Sequence, residues 1–559
     1  MAILLAAGMG LASCTSHFED LNTDPNRPTK VDPAQQFGWT IAKTAGDRYE
    51  NWRGNLIYSS CMIQHFAGTT MGWSGDYYTL NMAYNNAQWE RNYGHPVKNI
   101  EQLDFNLQKL AEEEGREIEE EMALVNIWKV FVYHRLTDLY GPVPFSEAGR
   151  GYTEGIINPR YDSEQTIYLG DGEVMGMLEM LDEAAITLEA AGGSNVFGNA
   201  DIMFQGDAQK WAKFANSMIL RLGMRISGVA ESEAKAFMQK AIERGVMESN
   251  MDIAYIEHEF GNDPYGLGNN GVSQVFLENS GASGHDFRFS ESFMNVLKHF
   301  NTAQIDPRLE YMTGVYNAGF DNGQYFETYY PFDGSAPTSY DGLPNGLEPV
   351  QAQALAEEKG FDELFTSGIG HLGFPQPNRT YMTTREAPTI FMSYAETEFL
   401  LAEIAVRFPE LAQDANGHYQ NGIVAAMEML DLYSTSGALV PRDEIQNYVN
   451  SLPVLGGNNR SPLELESDLD EIHTQKWLAL LFNGYEAYAE WRRTQLPSFV
   501  TNNQVSHPQG ITNGRIPGRL KYPDIEQGTN GASWAKAVDM LSNGEDTFLN
   551  DLWWAKKNF

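Results

Sequence analysis

The sequence has few cysteines, few basic residues and no long apolar run. Its 559 residues include only Cys14 and Cys61, which excludes a disulfide scaffold and a zinc site built from cysteines. The 38 Lys and Arg residues are outnumbered by 75 Asp and Glu, for a formal net charge of −37. Such a charge argues against nucleic acid as a partner, because binding it requires a basic face. No apolar run approaches the ~20 residues that a membrane-spanning helix needs.

The sequence also lacks a complete motif of the common enzyme classes. Gly266–Gly271 matches the dinucleotide pattern GxGxxG, but a proline-containing turn precedes it where a buried strand is required. His258 and Glu259 begin a zinc-protease HExxH motif, yet Asn262 stands at the position of the second histidine. A phosphate-binding GxxxxGK[ST] loop and a GxSxG nucleophile elbow are both absent.

Paired carboxylates are the remaining catalytic option, because a glycosidase needs only two. Glu396 and Glu403 are seven residues apart on one face of a predicted helix, and Glu486 and Glu490 lie just before Trp491–Arg493. A buried Glu that faces Arg is more often half of a structural ion pair than a catalytic acid. We therefore expect these residues to be structural and the protein not to be an enzyme. A glycan-degrading enzyme with an undetected carboxylate pair remains the alternative.

The first residues have the pattern of an export signal. Ala2–Ala12 is an apolar stretch of the right length, and Leu11–Cys14 fits the bacterial lipobox, in which the cysteine carries the lipid. We expect a signal peptide over 1–13, a lipid-bearing Cys14 and an extended tether over 14–31. The basic residues that normally open a signal are missing, so the segment looks truncated. The alternative is a buried N-terminal strand with an ordinary cysteine.

Hydrophobic periodicity predicts a mainly helical body over 32–559. Asp32 and Pro33 open a helix that is expected to reach about His65, and apolar residues from Ile118 onward predict a helix that ends at Gly141. Further helices are predicted near 172–191, 207–228, 231–245, 290–300, 387–407, 418–434, 466–488 and 533–543. The helical scaffold is thus expected over about 32–245 and 386–490.

Two long segments depart from this periodicity. Residues 246–385 and 495–530 are rich in Gly, Asn, Asp, Pro and Tyr, with only short strand-like runs. Long irregular segments inside a folded protein are usually functional. We expect these insertions to contact a ligand or a partner. Their Asp and Asn residues suit Ca²⁺, but no stretch has the spacing of an EF-hand loop, so no metal or cofactor is expected.

Aromatic rings combined with polar side chains indicate a carbohydrate site, because sugars stack on rings and bond through their hydroxyls. Two segments offer both. The candidate ligand-binding residues are Trp73, Tyr77, Tyr78, Asn81, Trp89, Tyr325, Tyr329 and Tyr330. The alternative is that these rings pack the loops onto the scaffold.

Six segments in order carry a family resemblance. They are "FEDLNTDPNRPT" after Cys14, "YHRLTDLYGPVPFSEA" (Tyr133–Ala148), "REAPTIFMSYAETEFLLAEIA" (Arg385–Ala405), "EAYAEWRRTQLP" (Glu486–Pro497), "GRIPGRLKYPDIE" (Gly514–Glu526) and the terminal "LWWAKKN". Together they resemble the SusD/RagB family of nutrient-binding outer-membrane lipoproteins of the Bacteroidota. The "LNTDPN" opening resembles the branch called SusD-like 2.

The resemblance implies a mainly α fold: tetratricopeptide-like helix pairs that carry an irregular ligand-binding face. It implies a lipid-anchored protein on the cell-surface side of the outer membrane, with a TonB-dependent β-barrel of the SusC type as partner. The lipoprotein would cap this barrel as a lid. It implies no catalysis and no cofactor besides the lipid on Cys14, and it places Arg385, Glu396, Glu403, Glu490, Arg492 and Arg493 in the scaffold.

The ligand class is not determined by the resemblance. Oligosaccharides are favoured by the aromatic content, and oligopeptides are the alternative in the same role, since peptide binding would rely more on backbone hydrogen bonds. A third possibility is a lid whose partner supplies most of the specificity.

Overall fold

The computed structural model describes residues 31–69, 73–260, 268–277, 286–299, 304–321, 324–330, 340–361, 373–434, 437, 439–456, 462–501 and 509–555. Cys14, the predicted signal peptide, nearly all of the predicted tether and Asn262 lie outside these residues. The side chains of Trp73 and of residues 317–330 are also outside the description.

The described part of the first half of the chain is mainly helical. Its helices are α1 (Pro33–Ala45), α2 (Trp73–Asp76), α3 (Met82–Asn92), α4 (Lys98–Glu114), α5 (Glu119–Tyr140), α6 (Glu164–Leu169), α7 (Met177–Ala190), α8 (Ala208–Ile226) and α9 (Glu231–Arg244). A further helical segment runs from Arg48 to Ser60, and its part Asn51–Ser60 is π-helical.

The second half alternates helices with short strands. Its helices are α10 (Gly271–Leu277), α11 (Glu291–His299), α12 (Arg308–Met312), α13 (Pro349–Glu358), α14 (Tyr394–Arg407), α15 (Ala415–Glu428), α16 (Arg442–Ser451), α17 (Pro462–Ala479), α18 (Gly484–Thr494), α19 (Asp524–Thr529) and α20 (Gly531–Met540). The strands among the residues that the structure describes are β1 (Phe66–Gly68), β2 (Ala254–Ile256), β3 (Phe287–Phe289), β4 (Thr313–Asp321), β5 (Gln324–Tyr330), β6 (Gln376–Pro377) and β7 (Thr389–Met392).

Local capping residues set several helix ends where the sequence predicted them. Asp32 accepts a hydrogen bond from the backbone N–H of Ala34 at 3.0 Å, and Pro33 occupies the first turn of α1. At the end of α5, Gly141 has φ of 84°, a conformation that favours glycine. The predicted helix over 118–139 is therefore confirmed as Glu119–Tyr140.

Three predicted helices are interrupted. The helix expected to reach His65 breaks at Gly46 (φ 77°), and Asp47 starts the next helical segment with a capping box. Residues 389–392 form strand β7 instead of the start of a helix, and Ser393 then caps α14. The helix predicted over 466–488 is two helices, α17 and α18, separated by a turn in which Phe482 has φ of 71°.

The seven described strands form three small antiparallel sheets. Strand β1 pairs with β3, so that Phe66 faces Phe289, and β2 pairs with β7. The third sheet has the order β5–β4–β6, with Val315 paired to Tyr330 and Thr313 to Pro377. Strands β2 to β6 fall within the predicted central insertion, which is therefore less irregular than expected.

The scaffold helices pack in sequence-adjacent pairs around an aromatic core. Helix α7 packs on α5 and α8, α8 on α9, and α14 on α15 and α17. Trp128 lies 5.0 Å from Phe391 and 6.2 Å from Trp211, whose ring lies 5.5 Å from Phe37. Each buried ring contributes roughly 1.5–3 kcal/mol, so this cluster holds α1, α5, α8 and β7 together. Among the described residues, no helix has both the length and the apolar character needed to cross a bilayer.

Candidate functional site

The first predicted aromatic segment contributes its rings to the interior. Tyr77, Tyr78 and Trp89 are 4%, 1% and 4% exposed. The Trp89 ring lies 4.7 Å from Tyr93 and 5.0 Å from Tyr140, centroid to centroid. The expectation that these three rings stand free for a ligand is therefore wrong. They pack residues 73–89 onto the scaffold, where large buried rings contribute strongly to stability.

Asn81 has a structural role at a helix end. Its side-chain oxygen accepts from the backbone N–H of Tyr84 at 3.3 Å and caps α3. Its own backbone N–H donates to the hydroxyl of Tyr58 at 2.9 Å. Of the candidates in this segment, only Trp73 has a side chain outside the description, and its ligand role stays a prediction.

The second predicted aromatic segment is the outer strand of a hairpin. Tyr325, Tyr329 and Tyr330 lie on β5, where they pair through the backbone with Phe320, Tyr316 and Val315 of β4. The role of the three β5 tyrosines in ligand binding stays a prediction.

Asp76 joins the first segment to the central insertion. Its carboxylate accepts hydrogen bonds from the N–H of Gly68 at 2.9 Å, the N–H of Gly346 at 3.2 Å and the side-chain amide of Asn345 at 2.6 Å. Asn345 also donates to the carbonyl of Phe66 at 2.9 Å. Burial raises the pKa of Asp76 to about 7, although these hydrogen bonds oppose the rise.

Hydrogen bonds continue from this junction to the hairpin. The N–H of Leu343 donates to the carbonyl of Phe289 at 2.9 Å, and the N–H of Phe289 donates to the carbonyl of Pro375 at 2.8 Å. Strand β6 follows directly and pairs with β4. We call this connected set the insertion face: residues 66–69, 73–76, 287–289, 313–321, 324–330, 340–347 and 375–377. The structure thus brings the two predicted aromatic segments into one hydrogen-bonded assembly.

The carboxylates considered as catalytic candidates are held by arginines. The guanidinium of Arg221 donates to Glu396 through Nε and Nη2, both at 2.7 Å. Arg493 donates to Glu403 at 2.7 and 2.6 Å. Burial raises the pKa of Glu403, but the charge of Arg493, the neighbouring His473 and the hydrogen bonds from both together outweigh burial and hold the pKa well below its ordinary value.

The same network extends into α18. Arg225 donates to Glu486 at 2.5 Å and to Glu490 at 3.0 Å, and Lys476 donates to Glu490 at 2.8 Å. Arg493 also binds Glu490 at 2.7 Å. Every side chain of this network is at most 5% exposed. The structural interpretation of these glutamates agrees with the geometry, since each is neutralised inside the scaffold.

Within the part of the chain that the structure describes, two groups of buried histidine and carboxylate side chains lie close enough together to share an ion. They are His134, Asp138 and Glu486, and Glu403, His473 and Glu490. Arg225 already binds Glu486, and Arg493 already binds both glutamates of the second group. A metal ion would face these guanidinium charges at short range, so neither group fits a cation.

The structure also shows an open groove that the sequence did not predict. It lies between α1, α4 and the loops at residues 150–154 and 198–202, and Trp39, Phe105 and Tyr152 line it. A signal for it was present: Trp39 lies midway between the buried Phe37 and Ile41, so the helical period places it on the opposite face. We call this feature the α1–α4 groove.

A comparison with protein families shows to which family the chain belongs. The family model SusD-like 2, described as starch-binding associating with outer membrane, matches residues 25–523. The chain belongs to the SusD-like family. The relationship expected from the six sequence segments is confirmed.

Solved structures agree with this SusD-like assignment. A chitin-binding protein has a TM-score of 0.73 at 29% identity, covering 94% of this chain and 100% of that one. A protein described as "Bacteroidetes AC2a SusD-like" has a TM-score of 0.74 at 24% identity, covering 94% of this chain and 100% of that one. A chitin-binding SusD homologue from Flavobacterium johnsoniae has a TM-score of 0.68 at 23% identity, covering 94% and 98%. The last two structures share so little sequence identity with this chain that they are evidence for the fold alone. A comparison with curated proteins found no match.

These relationships confirm the expected fold class. The chain is mainly helical with few strands, and SusD-like structures share its tetratricopeptide-like helical architecture. As a SusD-like protein, the chain is a nutrient-binding protein of a family that associates with the outer membrane.

Proposed function

We propose that this SusD-like protein captures oligosaccharides at the cell surface and delivers them to a SusC-type TonB-dependent transporter, for which it acts as the lid. A lipid on Cys14 would hold it in the outer membrane. The observation that carries the proposal is the family match over residues 25–523 together with a 29% identical chitin-binding protein.

The geometry supports a binding role without turnover. The four candidate glutamates are neutralised by Arg221, Arg225, Lys476 and Arg493 in the interior, where each glutamate side chain is at most 5% exposed. The insertion face joins the two segments in which rings and amides are concentrated, through the hydrogen bonds of Asp76. A formal charge of −37 favours neutral ligands over anionic ones.

Isothermal titration calorimetry tests the ligand class. The purified full-length chain is titrated with chitohexaose, maltoheptaose and a matched neutral oligopeptide such as penta-alanine. We expect saturable binding of at least one glycan and no binding of the peptide. Peptide binding without glycan binding would favour the oligopeptide alternative. Release of shorter sugars during incubation, lost on Glu396→Gln or Glu490→Gln, would favour the enzyme alternative.

Fractionation tests the anchor. The substitution Cys14→Ala is expected to move the protein from the membrane fraction to the medium or periplasm, while the fold stays intact. The matched control is Cys61→Ala, because Cys61 is buried in the core and is 1% exposed. Retention of the Cys14→Ala variant in membranes that lack the transporter would contradict a lipid anchor.

Co-purification tests the transporter. After mild detergent extraction of outer membranes, the tagged protein is expected to retain a TonB-dependent β-barrel that mass spectrometry identifies. If the protein elutes without a barrel at near-native detergent concentrations, the lid role would have to be abandoned.

A further inference from the structure

The α1–α4 groove exposes three aromatic rings to solvent. Trp39, Phe105 and Tyr152 are 43%, 38% and 88% exposed. No hydrogen bond from the Trp39 indole or the Tyr152 hydroxyl reaches another described residue. Exposing several large rings together is unfavourable in water, and such patches usually mark a binding surface.

Side-chain amides surround these rings. Gln35, Gln36, Asn99, Gln102, Asn106 and Asn199 all line the groove. Three of them form an ordered floor: Gln102 donates to Asn106 at 3.2 Å, Asn106 donates to Gln36 at 3.2 Å, and Gln36 donates to the carbonyl of Asn99 at 3.1 Å. Each amide in this row has its orientation set by the next one, which pre-organises the floor before a ligand arrives.

The wall opposite α4 is held rigidly against α1. The Phe37 ring lies 4.9 Å from the ring of Phe197. A Cβ at Gly38 would lie 2.1 Å from the carbonyl oxygen of Ala200. Helix α1 and the loop at 198–202 therefore approach so closely that only glycine fits at position 38. The position of this wall against α1 is therefore set by close backbone contact.

The groove is nearly neutral on a strongly acidic protein. Among the described residues that line it, Lys109 and Glu113 are the only Lys, Arg, Asp or Glu, and their charged groups lie 3.6 Å from each other. Their charges cancel, so the lining favours neither an anionic nor a cationic partner. The groove has a volume of about 1040 Å³, at the upper end of the ~300–1,000 Å³ typical of pockets for drug-sized ligands.

We propose that the α1–α4 groove is a second oligosaccharide-binding site, separate from the insertion face, which takes neutral glycans by stacking them on Trp39, Phe105 and Tyr152. Rings offer the apolar faces that sugars stack on, and the amide row offers donors and acceptors for their hydroxyls. This inference rests on the proposed function, because it takes a neutral glycan as the ligand. Neutral lining and an ordered polar floor favour a glycan over a protein surface, whose interface core is more apolar.

A site-specific measurement tests the groove. The full-length chain is labelled with 5-fluorotryptophan, and the ¹⁹F resonance of Trp39 is identified by its loss in Trp39→Phe. Chitohexaose and maltoheptaose are then titrated in parallel with calorimetry. We expect the Trp39 resonance to shift saturably with at least one glycan. Tyr152→Ala should weaken the affinity reported by Trp39 about tenfold, as loss of a central aromatic contact typically does. The matched control Val454→Ala, at a site 71% exposed, should leave it unchanged.

The outcomes separate this inference from the proposed function. If calorimetry shows glycan binding while the Trp39 resonance stays unmoved at saturation, the groove is not a glycan site and the proposed function stands. If neither method detects binding, the proposed function fails and the inference fails with it. If the Trp39 resonance moves only when the purified transporter is added, the groove is a protein interface and the inference is overturned.

Discussion

Replacing Arg221 by Met should destabilise the protein by about 3–5 kcal/mol, the usual cost of removing one partner from a buried ion pair. Arg221 is 1% exposed and donates twice to Glu396 at 2.7 Å. It also donates to the carbonyl of Phe391 at 3.2 Å and lies 3.7 Å from a carboxylate oxygen of Glu486. Methionine fills similar space but leaves the buried carboxylates with one counter-charge fewer.

The stability lost in Arg221→Met corresponds to a small but measurable decrease in melting temperature. Unfolding entropy is about 2.1 cal/mol/K per residue near 60 °C, which for 559 residues is about 1.2 kcal/mol/K. A loss of 3–5 kcal/mol therefore lowers Tm by about 3–4 °C in a calorimetric scan. The control is Arg150→Met, because Arg150 pairs with Glu154 at 3.5 Å on the surface and both side chains are over one third exposed. Surface pairs contribute at most ~1 kcal/mol, so this variant should melt within about 1 °C of the parent.

A double variant separates the ion pair from simple loss of packing. Arg221→Met combined with Glu396→Leu removes both charges, and most of the lost stability should return. A residual cost of ~1–3 kcal/mol is expected because the carbonyl of Phe391 loses its donor. The reasoning is refuted if the single variant behaves like Arg150→Met, or if the double variant is as unstable as the sum of its single changes.

Three further predictions concern buried groups. Burial raises the pKa of Glu164 from 4.5 to about 8, so the folded state keeps a proton that the unfolded state releases, and stability falls as pH rises from about 4.5 to about 8. In urea unfolding, Glu164→Gln should remove ~2–3 kcal/mol of the decline in the free energy of unfolding between pH 5 and pH 7. If the variant showed the same pH dependence of stability as the parent, the raised pKa of Glu164 would be contradicted. A Cβ at Gly75 would lie 1.6 Å from the carbonyl oxygen of Ile57, so Gly75→Ala should lower the free energy of unfolding, followed by circular dichroism, by ~1–3 kcal/mol. The control Gly94→Ala should change it little, because a Cβ at Gly94 meets no atom within 4 Å. Burial raises the pKa of the Cys61 thiol well above its ordinary value, so in a Cys14→Ser background a thiol reagent should react only after unfolding; rapid reaction of the native protein would show that Cys61 is accessible.

Local sequence was sufficient wherever neighbouring residues determine the backbone. Asp32 and Pro33 start α1, and Gly141 ends α5, because caps and left-handed glycines act within one helical turn. Periodicity also located the long scaffold helices, since an apolar stripe at helical spacing has only one way to be buried. The glutamates of α14 and α18 were interpreted correctly for a similar reason: Arg is the common buried partner of a carboxylate.

Sequence was insufficient wherever distant residues decide the outcome. Residues 389–392 become strand β7 because β2 supplies its hydrogen-bond partners, more than 130 residues earlier in the chain. Trp89 was expected to face a ligand, yet it packs on Tyr140, Tyr161 and Tyr522, which come from three other parts of the chain. A ring on a loop and a ring in the core have the same local sequence character.

The sequence by itself determined the family, the helical class and the capped ends of the main helices, because these depend on motifs and periodicities within short spans of chain. Only the tertiary structure decided which rings are exposed. It buried Tyr77, Tyr78 and Trp89, and it placed Trp39, Phe105 and Tyr152 around one groove. Exposure is set by whether another element covers a side chain, and long-range packing alone determines that.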